Sequence, residues 1–346
     1  EWSWRSLNNH MEKPSLDTAK AGAMRFNTDS SQMEIYDGNQ WTGILATSAD
    51  LQTGGARGLF IGGRTPSNVD TIDYVTISTT GNAIDFGNRL EAGRQGGATA
   101  SRIRGVICGR PVPLHSNIIE FLTIASTGNT QDFGDSTNTR AGAPMAVSNG
   151  TRGIFAGGTI DSSDTIGNII DYVTIAQTGN AIDFGDLTHT MSDGGRAQSP
   201  TRGIIAGGRY NPTKINIINF ITMSTLGNAA DFGDLTQARN EIGSDSNAVR
   251  GIFAGGNNNG AVSTMDFVTI STLGNAVNFG STSGVCTETR GSASSIRFVF
   301  SKGFTPSVTN EIMFTQIMSS GTAFDFGDLT QSRGQAAGCS NGHGGL

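Results

Sequence analysis

An all-β fold is what the sequence predicts, on three observations. Glycine supplies 49 of 346 residues against 8 prolines, with 15% charged and 36% hydrophobic residues. That turn-rich balance excludes coiled coils, collagen-like repeats and charge-rich disordered chains. A strand motif opening with arginine recurs at Arg57, Arg104, Arg152, Arg202, Arg250 and Arg297, at steps of 47, 48, 50, 48 and 47 residues. A second motif, DFG or NFG, places Phe86, Phe133, Phe184, Phe232, Phe279 and Phe326 at steps of 47, 51, 48, 47 and 47. Two independent markers therefore count six units. Units of this length with four short strands each predict a six-bladed β-propeller, since helical periodicity is missing and the shorter helical repeats do not fit.

Taken in chain order, residues 1–20 are polar apart from Trp2 and Trp4 and read as an attachment arm. Residues 21–50 read as a small β module: an MRFN strand, a TDSS turn, an MEIY strand, a DGNQ turn and Trp41 as an aromatic anchor. Its core is too small for independent stability, so it is expected to pack on the propeller or on another chain. The propeller takes residues 51–346. In each unit an arginine-led strand such as RGIFAGG leads to a variable loop, a β-branched strand such as Ile170–Ile175, a TGN turn and a strand ending in DFGD. The remaining piece is rich in small residues, as in 93–101 and 140–148, and is read as the innermost strand, where blades converge and only small side chains fit.

The first unit begins at Arg57 with its second strand, and a spare small-residue segment, 333–341, follows the last unit. That segment is expected to pair with Arg57–Gly63 and close the propeller, which removes an open sheet edge. Residues 48–56 compete for the same place but resemble the other inner segments less well.

Net charge is −6 and no Lys/Arg cluster is present, so nucleic acid is not an expected partner. No apolar run approaches the roughly 20 residues that cross a bilayer, and the opening EWSWRSLNNH has no signal-peptide pattern, so a soluble chain without membrane insertion is expected. Cys108, Cys286 and Cys339 are far apart and odd in number, which reads as free thiols rather than disulfides or a zinc site. His10, His115, His189 and His343 occupy unrelated phases and read as solvated loop residues.

The repeated DFG reads as structure rather than as a kinase magnesium motif. Asp caps a turn, Phe packs between blades and Gly supplies a permissive backbone. The further carboxylates Asp135, Asp186, Asp234 and Asp328 invite a calcium reading, which Asn88 and Ser281 interrupt, so no metal is expected. The repeated arginines are expected to bridge turns of neighbouring blades rather than line an anion-binding ring. Pieces such as FAGG lack the Lys-Ser/Thr of a phosphate loop, and no catalytic set stands out, so neither enzyme nor cofactor is expected.

The repeats resemble kelch-type blades, although the tryptophan usual near the fourth strand is missing and the DFG phenylalanine stands in its region. More specifically, RGIFAGG, IDYVTI and TGNAIDFGDLT resemble kelch-like repeats in virion proteins of tailed, particularly marine, bacteriophages, over residues 57–341. Residues 21–44, with Arg25, Phe26, Asn27, Thr28, Tyr36, Asp37, Gly38 and Trp41, are similar to a short β module of phage tail-fibre and related virion proteins. The resemblance implies a virion component of tail-fibre, spike or surface-appendage type, assembled in the host cytoplasm and held to other virion proteins through residues 1–50. Its partners would be a host receptor or glycan, and homo-oligomerisation is open. The alternatives are a decoration or cement protein without receptor binding, a glycan-processing propeller enzyme and a cellular kelch adaptor.

Strand alternation puts the loops between second and third strands on one face and the TGN turns on the other. The variable loops are 64–70, 110–117, 159–168, 209–216, 257–263 and 302–309. Arg110, His115, Tyr210, Lys214, Asn258 and Phe304 are the expected contacts, and the N-terminal module is expected on the opposite, TGN side.

Overall fold

The computed structural model describes residues 20–27, 32–43, 56–109, 116–140, 142–161 and 163–346. The expected arm, the TDSS turn, the competing segment 48–55, Arg110 and His115 lie outside the described residues. The chain divides into two compact units, Glu1–Thr53 and Gly54–Leu346.

The first unit is an antiparallel sheet of three strands, Met24–Asn27, Gln32–Tyr36 and Trp41–Gly43. Trp41, expected only as an anchor, starts a third strand because Asp37 Oδ1 accepts the Asn39 and Gln40 amides and turns the chain back. The Arg25 guanidinium stacks 4.2 Å from the Trp41 ring centroid and pairs with Glu34 at 2.7 Å.

The second unit is all-β among the described residues and contains six four-stranded antiparallel sheets, a propeller-like arrangement. Sheet 1 orders Ala337–Ser340, Arg57–Thr65, Ser67–Thr76 and Ile84–Asn88; sheet 2 orders Gly97–Ala100, Arg104–Cys108, Ser116–Thr123 and Gln131–Arg140. Sheet 3 orders Met145–Ser148, Arg152–Ala156, Ile169–Thr174 and Ile182–Asp186; sheet 4 orders Gly195–Gln198, Arg202–Ala206, Ile217–Thr222 and Ala230–Asp234. Sheet 5 orders Gly243–Ser246, Arg250–Ala254, Val262–Thr269 and Val277–Cys286; sheet 6 orders Arg290–Ala293, Arg297–Ser301, Glu311–Gln316 and Phe324–Asp328. Sheet 1 thus takes its first strand from the far end of the chain, with Ala337 opposite Ile61 and Ser340 opposite Gly58.

The arginine-led strands are apolar at successive positions because each is covered on both faces, and the second to fifth residues of each are buried. Buried clusters fill the spaces between consecutive sheets. Phe184 of sheet 3 packs with Ile205 and Ile221 of sheet 4, and Phe326 of sheet 6 packs with Phe60 and Val75 of sheet 1. First strands neighbour one another in the order of the sheets, and that of sheet 6 also neighbours that of sheet 1.

Three boundaries differ from the sequence expectation. The small-residue segments contribute only four-residue first strands, and Arg140, expected to open one, ends the preceding fourth strand because its guanidinium is buried against Asp171. Residues 64–70 are mostly strand, since Arg57–Thr65 and Ser67–Thr76 continue as a hairpin with Arg64 opposite Asn68. Residues 209–214 form a short hairpin of their own.

Candidate interaction face

The two ends of the sheets differ in kind. At the TGN end one junction is repeated between every pair of consecutive sheets. The arginine opening a second strand donates from Nη1 to a carbonyl of the next sheet's hairpin: Arg57 to Ile124 (2.8 Å), Arg104 to Ile175 (2.9 Å), Arg152 to Met223 (3.1 Å), Arg202 to Ile270 (2.8 Å), Arg250 to Ile317 (3.2 Å) and Arg297 to Ile77 (3.3 Å). Each guanidinium also covers an aromatic ring of its own sheet, Tyr74, Phe121, Tyr172, Phe220, Phe267 or Phe314, at 4.1–4.9 Å. These arginines are therefore engaged by the fold, which leaves them poor anchors for an anion.

The DFG phenylalanines lie inside the same junctions, each 2–3% exposed, and their carbonyls accept the amides of Gly81, Gly128, Gly179, Gly227, Gly274 and Gly321 in the next turn. The glycine of the triplet has φ of 141–146° and would drive a Cβ into that turn, so no other residue fits. The aspartate was expected to cap. Instead Asp85, Asp132, Asp183, Asp231 and Asp325 are exposed, and the asparagine of the neighbouring TGN does the capping. Asn180 Oδ1 accepts the Asp135 amide at 3.0 Å and Asn82 Oδ1 that of Asp328 at 3.1 Å, because the turn itself presents the acceptor to the incoming strand.

The other end carries the variable loops and, inside them, a ring of residues in the left-handed region. Gln95, Ala143, Asp193, Glu241, Glu288 and Gln335 have φ of 53–58°, and each precedes a first strand. Backbone amides pass around this ring from Gln95 to the Gln335 carbonyl (2.8 Å), Asp193 to Ala143 (3.2 Å), Glu241 to Asp193 (2.6 Å) and Gln335 to Glu288 (3.2 Å), while the Thr289 hydroxyl donates to Glu241 O at 3.0 Å. The loops are tied to it. Arg209 Nε donates to Asp193 at 3.0 Å and its Nη1 to Asp164 of the neighbouring loop at 2.6 Å; Arg64 meets Glu288 at 2.5 Å. Burial pushes the Asp193 carboxyl up against the pull of Arg290 and Arg209, and pushes the Arg290 guanidinium down.

Among the expected contact residues, Tyr210 is 51% and Phe304 37% exposed. Lys214 Nζ donates to Asn257 (2.9 Å) and Asn259 (3.3 Å), which brings it beside Asn258, whose Nδ2 donates to Gln237 at 3.3 Å. Tyr210 shares the Lys214 hairpin, whereas Phe304 sits on another loop, bridged to Thr287 and Val308.

Sequence reasoning missed a second set of junction residues. Arg333–Asp73, Arg89–Glu120, Arg140–Asp171 and Arg239–Asp266 are ion pairs of 2.7–3.0 Å whose side chains are 0–2% exposed, each joining one sheet to the next. At the other two junctions the acid is replaced by Asn219 and Met313. There the arginine is replaced too, by Met191 and Cys286: the Asn219 amide donates to the Met191 sulfur, and the Ser283 hydroxyl donates to the Met313 sulfur.

His343, expected in solvent, is 3% exposed, because residues 341–346 fold back against the first strands, at Ala100 and Ser148. His189 is exposed as expected. The thiols of Cys108, Cys286 and Cys339 are buried, and desolvation pushes them up to about 11, 11 and 12, which leaves no thiolate nucleophile at neutral pH. Among the described residues no group of three or more His, Cys, Asp or Glu could hold a metal ion. Comparison with protein-family models and with curated proteins finds no match to this chain.

Proposed function

We propose that residues 51–346 form a six-bladed β-propeller closed by the C-terminal strand, and that the chain is a non-enzymatic interaction protein of a tailed-phage virion. Support for closure comes from the joints between sheets 6 and 1: Phe326 with Phe60, Arg297 to Ile77, Asp328 to Asn82 and Arg333 with Asp73 are of the same kinds as the joints elsewhere.

The observation that carries the functional reading is the contrast between the two ends. One is a set of repeated joints; the other presents loops that differ in length and chemistry on a ring held by shared backbone bonds. Loops on a rigid frame are where recognition resides. Binding rather than catalysis fits the charged groups, since the buried carboxylates of the junctions are consumed by arginine. The virion assignment rests on the resemblance of the repeats and of residues 21–44 to phage virion proteins, with residues 1–50 holding the chain to other virion proteins.

The test exchanges the variable loops for Gly/Ser segments on an intact particle. Loss of adsorption with normal assembly supports host recognition through this face. Normal adsorption and assembly with all loops replaced refutes it, and defective assembly alone favours a decorating role.

A further inference from the structure

We propose that residues 341–346, Asn-Gly-His-Gly-Gly-Leu, form a latch across the inner ends of the six sheets that a single proton on His343 releases. The segment's hydrogen bonds reach four of the six sheets. Asn341 Oδ1 accepts the Arg57 amide at 2.8 Å; His343 Nε2 lies 2.8 Å from the Ala100 carbonyl and 3.1 Å from the Ser148 hydroxyl; Gly344 N donates to Ser246 O at 2.8 Å. A Cβ on Gly344 would strike Asn247 and the Gln198 carbonyl, and one on Gly342 would strike the Ala56 methyl. The glycines are what let the segment enter so narrow a space.

The hydrogen bonds fix the histidine's protonation state. Gly345 N donates to Nδ1 at 3.0 Å, so Nδ1 must be the bare acceptor, and Nε2 carries the proton that points at Ala100 O. A second proton has only Nδ1 to occupy, where it would face the Gly345 N–H and break the tail's own turn. The charged groups facing the ring are Asp245, which attracts an imidazolium, and Arg196 and Arg102, which repel it; burial outweighs the Asp245 attraction and holds the ring below its ordinary value. The sign follows from linkage. A tail released into water takes up the proton near pH 6.5 while the docked one does not, so the latch weakens as pH falls below about 6.5, by up to about tenfold in its opening constant per pH unit, until the lowered docked value is reached. Asp245 acts with the opposite sign, since burial raises its carboxyl and acid relieves that charge.

Amide exchange of the full chain, corrected for intrinsic rates, tests this between about pH 8 and pH 5. Protection of Gly344 and Gly345 should fall with acid by the stated factor while the amides of the Arg152–Ala156 strand keep theirs. His343→Gln retains a donor and an acceptor without titrating, so its protection should not fall with acid. Protection that is flat in the native protein, or falls equally in the glutamine variant, overturns the latch. Should that variant fail to fold, the ring nitrogen shifts of the native protein decide: an Nε2–H tautomer persisting well below pH 6.5 supports it, and ordinary titration near 6.5 refutes it.

Discussion

The buried pair Arg239–Asp266 offers a test that the molecule itself has already set up. Both side chains are 0% exposed, 2.7 Å apart, and Arg239 also donates to the Phe253 carbonyl at 3.2 Å. Arg239→Cys leaves the Asp266 carboxylate buried with only Thr236 for support and should cost about 3–5 kcal/mol. The corresponding positions at the joint between sheets 5 and 6 hold Cys286 and Met313, both buried. Adding Asp266→Met recreates that joint. With the charge gone, the remaining loss is the bond to Phe253 O, and the double variant should lie within about 2 kcal/mol of the native protein. Denaturant unfolding of the native protein, both single variants and the double variant yields the cycle, with a coupling of about 2 kcal/mol or more. Additive losses, or an arginine deletion costing below about 1 kcal/mol, would show that these pairs do not hold the sheets together.

Phe184→Ala removes a ring 2% exposed that meets Tyr172 edge-on at 6.1 Å and should cost about 3–5 kcal/mol by denaturant midpoint; a loss near zero would deny it a core role. Truncation after residue 330 strips sheet 1 of its first strand and should lower the melting temperature sharply, so an unchanged melting temperature would sink closure. With thiol values raised to about 11–12, alkylation of the native protein should remain negligible until the pH approaches that range, yet be rapid in denaturant at pH 8–9, where the free thiol ordinarily ionises at about 8.5. Rapid labelling of the folded chain near neutral pH would contradict the burial.

Much of the architecture was legible because it repeats. Arg152 and Phe184 announce themselves by period, and the small residues 97–100 by the crowding that selects them. The buried acids were hidden inside strands that read simply as β-branched: Asp73, Glu120, Asp171, Asn219, Asp266 and Met313 keep steps of 47, 51, 48, 47 and 47, a pattern available in the sequence and passed over. The left-handed ring had no such signal, since Gln95, Ala143 and Asp193 share a backbone conformation but no chemistry. His343 misled for a related reason. Its glycine-rich surroundings look like loop, and its burial arises from contacts as distant as Ala100, 243 residues earlier. Tyr210 and Lys214 were readable as loop residues, but not the bond that ties Lys214 to the next loop.

The divided first sheet also has a consequence in time. Arg57 and its partner Asn341 are 284 residues apart, so at roughly 5–20 residues per second a ribosome needs on the order of 15–60 s to deliver the strand that sheet 1 awaits. Until then the Arg57–Thr65 strand lacks the partner that Ala337–Ser340 gives it in the finished sheet. A chain stopped before residue 337 therefore lacks the strand that covers this edge, and an uncovered edge is a template for pairing with other chains.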